Sequence, residues 1–130
     1  MSEKGFQKGK VYSISAVHFV HDCYTSILAP ALPLIIDKLG ISYGMTGLLA
    51  VIQRIPSLMN PLIGILAERP GMRYMAVFSP ALTAVFMSLI GVAPGYVFLA
   101  VILFFSGLSS TLWHIPSPVM IRGLSPGKSG

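Results

Sequence analysis

Residues 11–36 read VYSISAVHFVHDCYTSILAPALPLII, and this run decides the fold. As a helix it measures about 39 Å, enough to cross a hydrocarbon core of about 30 Å with some tilt. Two imidazoles and a carboxylic acid, His18, His21 and Asp22, sit inside it. A charge at the centre of a membrane helix costs about 2.5–3.5 kcal/mol even on a lenient insertion scale, so such groups face a protein interior or a water-filled path. A cleaved signal peptide is the competing reading, because Lys4, Lys8 and Lys10 precede the run. The run is too long for one, and its polar groups interrupt what should be a plain apolar core.

The rest of the chain repeats the pattern. Apolar segments follow at 45–67, 74–92 and 96–121, separated by the polar turns 37–44 and 68–73 and by Ala93-Pro94-Gly95. Residues 1–10 read as a polar cytoplasmic tail, and 122–130 as a cytoplasmic loop at which the sequence stops, as in a truncated chain. The expected architecture is therefore an all-α membrane protein of four transmembrane helices. Composition agrees: 54% of residues are hydrophobic and 10% charged, against about 25% charged in a soluble domain. With the N-terminus inside, Lys4, Lys8, Lys10, Arg69, Arg73, Arg122 and Lys128 are cytoplasmic and Lys38 alone is outside. That bias puts both termini in the cytoplasm, in an inner or plasma membrane. No basic stripe interleaved with aromatics is present, which excludes nucleic-acid binding. Cys23 is the single cysteine, so no internal disulfide forms. Gly127-Lys128-Ser129 imitates the end of a phosphate loop, but Arg122 stands where its first glycine belongs.

At 100° per residue, Ser15, His18, Asp22 and Thr25 fall within about 80° on the first helix, with His21 and Ser26 flanking. On the second, Gln53, Ser57, Asn60 and Gly64 form a stripe flanked by Arg54. On the fourth, Ser106, Ser110, Trp113 and Ser117 align beside His114. The third offers only Ser79, Thr83 and Ser88. Helices one, two and four are thus expected to meet around a polar interior, with helix three outside. Counting 1.5 Å per residue from the cytoplasmic ends puts Asp22 about 16 Å deep and Arg54 about 20 Å deep. The two are candidate partners. Such a pair holds a carboxyl charged and releases it when separated, the physics of a proton-coupled carrier. The competing reading is that such a pair only fixes helix register. His18, His21 and His114 are candidate proton or substrate contacts, with Gln53, Asn60 and Trp113 as further substrate contacts. No metal site is expected, since the histidine depths do not converge with Asp22 and no H-E-x-x-H spacing occurs. No cofactor motif or nucleophile–base pair appears either, so an enzyme is not expected.

The stretch Gly64-Ile-Leu-Ala-Glu68-Arg69-Pro-Gly71-Met-Arg73 resembles the loop motif between helices two and three of the major facilitator superfamily, with Glu68 for Asp and Met72 for one basic residue. The resemblance implies that Gly64, Glu68, Arg69, Gly71 and Arg73 form a conformational latch. His18-Phe-Val-His-Asp22-Cys-Tyr24 with Pro30 and Pro33 resembles the first helix of fosmidomycin-resistance-type efflux carriers. Trp113-His114-Ile-Pro116 is similar to their fourth helix, with Ile115 inserted. It implies four helices of an N-terminal six-helix bundle, in a proton-coupled efflux carrier for a small organic compound or drug, partnered by the remaining helices of a full-length carrier and by lipid. The rival expectations are a complete four-helix pump that self-associates, like the small multidrug pumps, and a fragment that only assembles with other subunits. A reading frame for eight further helices separates the first from both.

Overall fold

The computed structural model describes residues 7–67 and 69–124. Glu68, most of the N-terminal tail and the Gly127-Lys128-Ser129 end lie outside the described residues. Among the described residues, four helices are long and apolar enough to cross a membrane: Lys8–Leu39, Tyr43–Leu66, Gly71–Val92 and Tyr96–Leu124. They comprise α1 (Lys8–Ser26), α2 (Leu28–Leu39), α3 (Tyr43–Arg54), α4 (Asn60–Leu66), α5 (Pro70–Ser88), α6 (Tyr96–His114) and α7 (Pro116–Leu124), with 3₁₀ turns at Ile55–Met59 and Leu89–Val92.

Several ends lie beyond the apolar runs. Helix α1 already contains Lys8 and Lys10, and residues 122–124, expected as loop, continue α7. The cations explain this. Long basic side chains carry their charge outward while their stems stay on the apolar helix, and Arg122 in the last turn of α7 complements the helix dipole. Gly40 closes α2 in the left-handed conformation at φ 62°, with its N–H on the Ile36 carbonyl.

Proline sets the interruptions. A proline lacks the N–H that would bond four residues back, and its ring presses on that carbonyl. Pro30 acts on Ser26, where α1 ends. Pro56 lies within the 3₁₀ turn between α3 and α4, and Pro61 follows in the first turn of α4. Pro116 follows the break at Ile115. Pro80 lies within α5 without breaking it. The carbonyl it frees belongs to Ala76, and the Ser79 hydroxyl donates to that oxygen at 2.8 Å. A side chain thus replaces the lost backbone donor, as a membrane interior requires.

The Gln7 N–H donates to the Leu124 carbonyl at 3.1 Å, so the start of the first span and the end of the fourth share one side. On the opposite side Lys38 Nζ donates to the Gly91 carbonyl at 3.0 Å, tying the first turn to the third span. The largest apolar cluster, built on Leu28, Ile35, Leu49, Met87, Leu99 and Leu103, lies towards that side. The molecule is otherwise inverted relative to a soluble protein: Leu58, Ile65 and Phe19 are 81%, 77% and 71% exposed. Such surface is stable against lipid and not against water.

The third span holds its expected place and adds a contact the sequence did not show. It lies outside the polar interior, yet α5 packs against both α6 and α1. Its Ser79 and Thr83 are fully buried, and Thr83 Oγ1 shares a 2.8 Å hydrogen bond with Ser109 Oγ on α6. Interhelical bonds of this kind contribute about 0.6 kcal/mol on average and up to about 1.7. A double-mutant cycle of Thr83→Val with Ser109→Ala, followed by unfolding in mixed micelles, should return a coupling of about that size. Strict additivity would show that the contact contributes nothing.

Helices α3 and α6 come into backbone contact at Gly107. A β-carbon built there would overlap the Gln53 carbonyl group and lie 3.4 Å from Gln53 Cα. Only glycine lets the two backbones touch, the usual logic of close membrane packing.

Candidate functional site

The polar stripes of three spans line a half-open cavity of about 580 Å³. The first span contributes Thr25, Ser26 and the apolar Ala29 and Leu32. The second contributes Gln53, Arg54, Ser57 and Asn60. The fourth contributes Gly107, Ser110, Thr111 and His114. No described residue of the third span lines it. The volume lies within the about 300–1,000 Å³ usual for small-molecule sites.

Each polar side chain is placed by its helix. Gln53 turns its amide to donate to Met87 Sδ at 3.6 Å. Asn60 opens α4, and its Oδ1 is buried without a partner among the described residues. Arg54 is the last residue of α3, exposed to the cavity. Among the described residues no carboxylate lies within ion-pair distance of it.

Asp22 therefore does not pair with Arg54 here. Its two carboxylate oxygens instead face two imidazoles: His18 Nε2 lies 3.4 Å from Oδ2 and His114 Nε2 3.6 Å from Oδ1. Two physical effects separate this from the depth count. The 3₁₀ turn at Ile55–Met59 rises about 2.0 Å per residue rather than 1.5, which displaces Arg54 along the axis and rotates it off the Asn60 stripe. Side chains also lean towards the N-terminus of their own helix. On the antiparallel first and fourth spans, Asp22 leans one way and His114 the other, so groups whose Cα depths differ meet at their tips. His18 and Asp22 are one turn apart on the same face.

The cluster extends inwards. The Trp113 indole N–H donates to His18 Nδ1 at 3.2 Å. The imidazoles of His18 and His114 are edge-to-face with centroids 4.9 Å apart, and those of His21 and His114 are 5.0 Å apart. His21 is buried, with Nε2 3.1 Å from Ser110 Oγ and Nδ1 without a partner among the described residues. Trp113, expected as a substrate contact, is 2% exposed and supports His18 instead. His18, His21 and Asp22 sit beside the cavity, and His114 alone both lines it and touches Asp22.

Depths counted along the helices do not converge on a metal site, but the side chains do converge. One ligand atom from each of His18, Asp22 and His114 lies within 4.8 Å of the others. A cluster of two imidazoles and a carboxylate can pass protons or take a divalent cation.

The loop motif is only partly described. Gly64 lies on α4, and a β-carbon there would meet Ile115 Cγ2 at an ordinary 4.0 Å. Arg69 caps α5 in an extended conformation, and Gly71 and Arg73 follow in its first turn. Both arginines are exposed, with no ion pair among the described residues.

A family comparison matches the Major Facilitator Superfamily over residues 14–130. No curated protein and no solved structure matches the chain.

Proposed function

Because the chain belongs to the major facilitator superfamily, whose members are membrane transporters rather than enzymes, we propose that its cavity carries a small organic compound in exchange for protons. The four spans form part of the N-terminal six-helix bundle of that fold. We place the protein in an inner or plasma membrane with both termini cytoplasmic, on the strength of its basic bias, and among efflux carriers of the fosmidomycin-resistance type.

One observation carries the reading. The cavity holds a guanidinium with no carboxylate partner among the described residues at Arg54, and a carboxylate bracketed by two imidazoles beside it. Arg54, with Gln53 and Asn60, offers donors to an anionic group. Asp22, faced by His18 and reached from the cavity through His114, takes the proton. Separating the two sites lets substrate and proton bind without competing for one charge. Glu68, Arg69 and Arg73 act as the latch between helices two and three.

The test is transport by purified protein in liposomes with an imposed pH gradient, using a panel of small organic anions that includes fosmidomycin. Accumulation that collapses with a protonophore supports the reading; transport indifferent to the gradient refutes proton coupling. Arg54→Ala should raise KM for an anion about tenfold or more, the loss of one charge-assisted contact. Arg54→Lys should recover part of it. A neutral substrate unaffected by either change is compatible with this assignment, whereas an anion unaffected by both removes Arg54 from the site.

A further inference from the structure

Two of the contacts in the His18–Asp22–His114 cluster have the ligand spacing of a zinc site. A tetrahedral ion with bonds of about 2.0–2.2 Å separates its ligands by about 3.3–3.5 Å. The observed separations are 3.4 Å for His18 Nε2 to Asp22 Oδ2 and 3.6 Å for His114 Nε2 to Asp22 Oδ1. With one ligand atom from each residue within 4.8 Å of the others, a small closing movement would let a metal ion sit between them.

The hydrogen bond behind His18 decides otherwise. An indole N–H is a donor only, so the 3.2 Å bond from Trp113 Nε1 requires a lone pair on His18 Nδ1. A neutral imidazole has one protonated nitrogen. With Nδ1 accepting, the proton is on Nε2, directed at Asp22. A histidine that ligates through Nε2 needs the reverse: a free lone pair on Nε2 and an N–H on Nδ1 facing an acceptor. Trp113 supplies a donor where a metal site needs an acceptor. It is also held firmly, being 2% exposed and packed against both His18 and His21.

We propose that Trp113 is a positioning residue that commits His18 to donate towards Asp22 and thereby keeps the cluster from capturing a first-row divalent metal ion. Without the indole bond, His18 can turn its proton to Nδ1. Nε2 then joins His114 Nε2 and the Asp22 carboxylate as a three-ligand set, with water as a fourth ligand. The site is the one assigned above to proton transfer, but the proposal does not depend on transport. Its readouts are tautomer and metal affinity, so its failure and that of the transport reading are distinguishable.

The experiment uses the full-length protein in lipid nanodiscs, titrated with Zn²⁺ by calorimetry. Trp113→Phe should bind Zn²⁺ about 10- to 100-fold more tightly than the native protein, the usual weight of a ligand's hydrogen-bond partner. Adding Asp22→Asn to Trp113→Phe should abolish the gain. Native protein that binds Zn²⁺ as tightly as the variant overturns the proposal, as does a gain that survives Asp22→Asn. Should Trp113→Phe fail to fold, the native protein alone decides the matter. Its ¹⁵N-histidine spectrum, assigned by loss of one signal in His18→Asn, must show His18 protonated on Nε2. An Nδ1-protonated His18 overturns the proposal.

Discussion

Gly107→Ala should be among the most destructive single-methyl changes available in this chain. Overpacking in a closely fitted interior costs about 1–3 kcal/mol when side chains can give way. Here the neighbour is the Gln53 carbonyl group, part of the α3 backbone, so the helices themselves must part. The expected result is a loss at or above the top of that range, and no folded protein for Gly107→Leu. Because Gln53 and Gly107 both line the cavity, the separation also distorts the site. The measurement is simple, since Trp113 is the single tryptophan and lies six residues along the same span. Its emission should shift to the red and unfold at lower denaturant in Gly107→Ala. An unchanged transition would mean that α3 and α6 do not meet at this glycine.

Asp22→Asn is expected to have the largest effect on function with little on stability. The substitution keeps the shape and removes the group that ionises. Accumulation against a gradient should fall to the level of protein-free liposomes, while exchange of labelled for unlabelled substrate persists. That split separates a coupling residue from one that only binds or packs. Loss of both activities would make Asp22 structural, and retention of both would move the proton site elsewhere. His114→Ala should give a partial version of the same phenotype, because His18 still faces the carboxylate.

Much of this was legible in the residues themselves. Length, hydropathy and the spacing of turn residues show four spans. The 100° period puts Thr25, Gln53, Asn60 and Ser110 on faces that meet around one cavity. The partner of Asp22 was not legible. Depth counted along an ideal helix ignores the direction in which a side chain leans and the extra rise of a 3₁₀ turn. Together these bring His114 to Asp22 and carry Arg54 away. The role of the third span was hidden for a different reason. Serine and threonine look the same to a hydropathy count whether they line a cavity or bridge two helices, and Thr83 bridges. The Trp113 bond to His18 had no sequence signal beyond proximity on facing helices. The close approach at Gly107 had none beyond the presence of glycine.

The breaks at Ile27 and Ile115 have a mechanical consequence. Both fall within the two spans that carry the His–Asp cluster, one turn or less from Thr25 and His114. The cavity wall runs across the first of them, from Thr25 and Ser26 on α1 to Ala29 and Leu32 on α2. Ile27 and Ile115 keep right-handed helical dihedrals, so each span runs on as one rod with a single weakened joint. Pro30 and Pro116 each remove a backbone bond at these joints, so flexing the span there costs less than flexing a fully bonded helix.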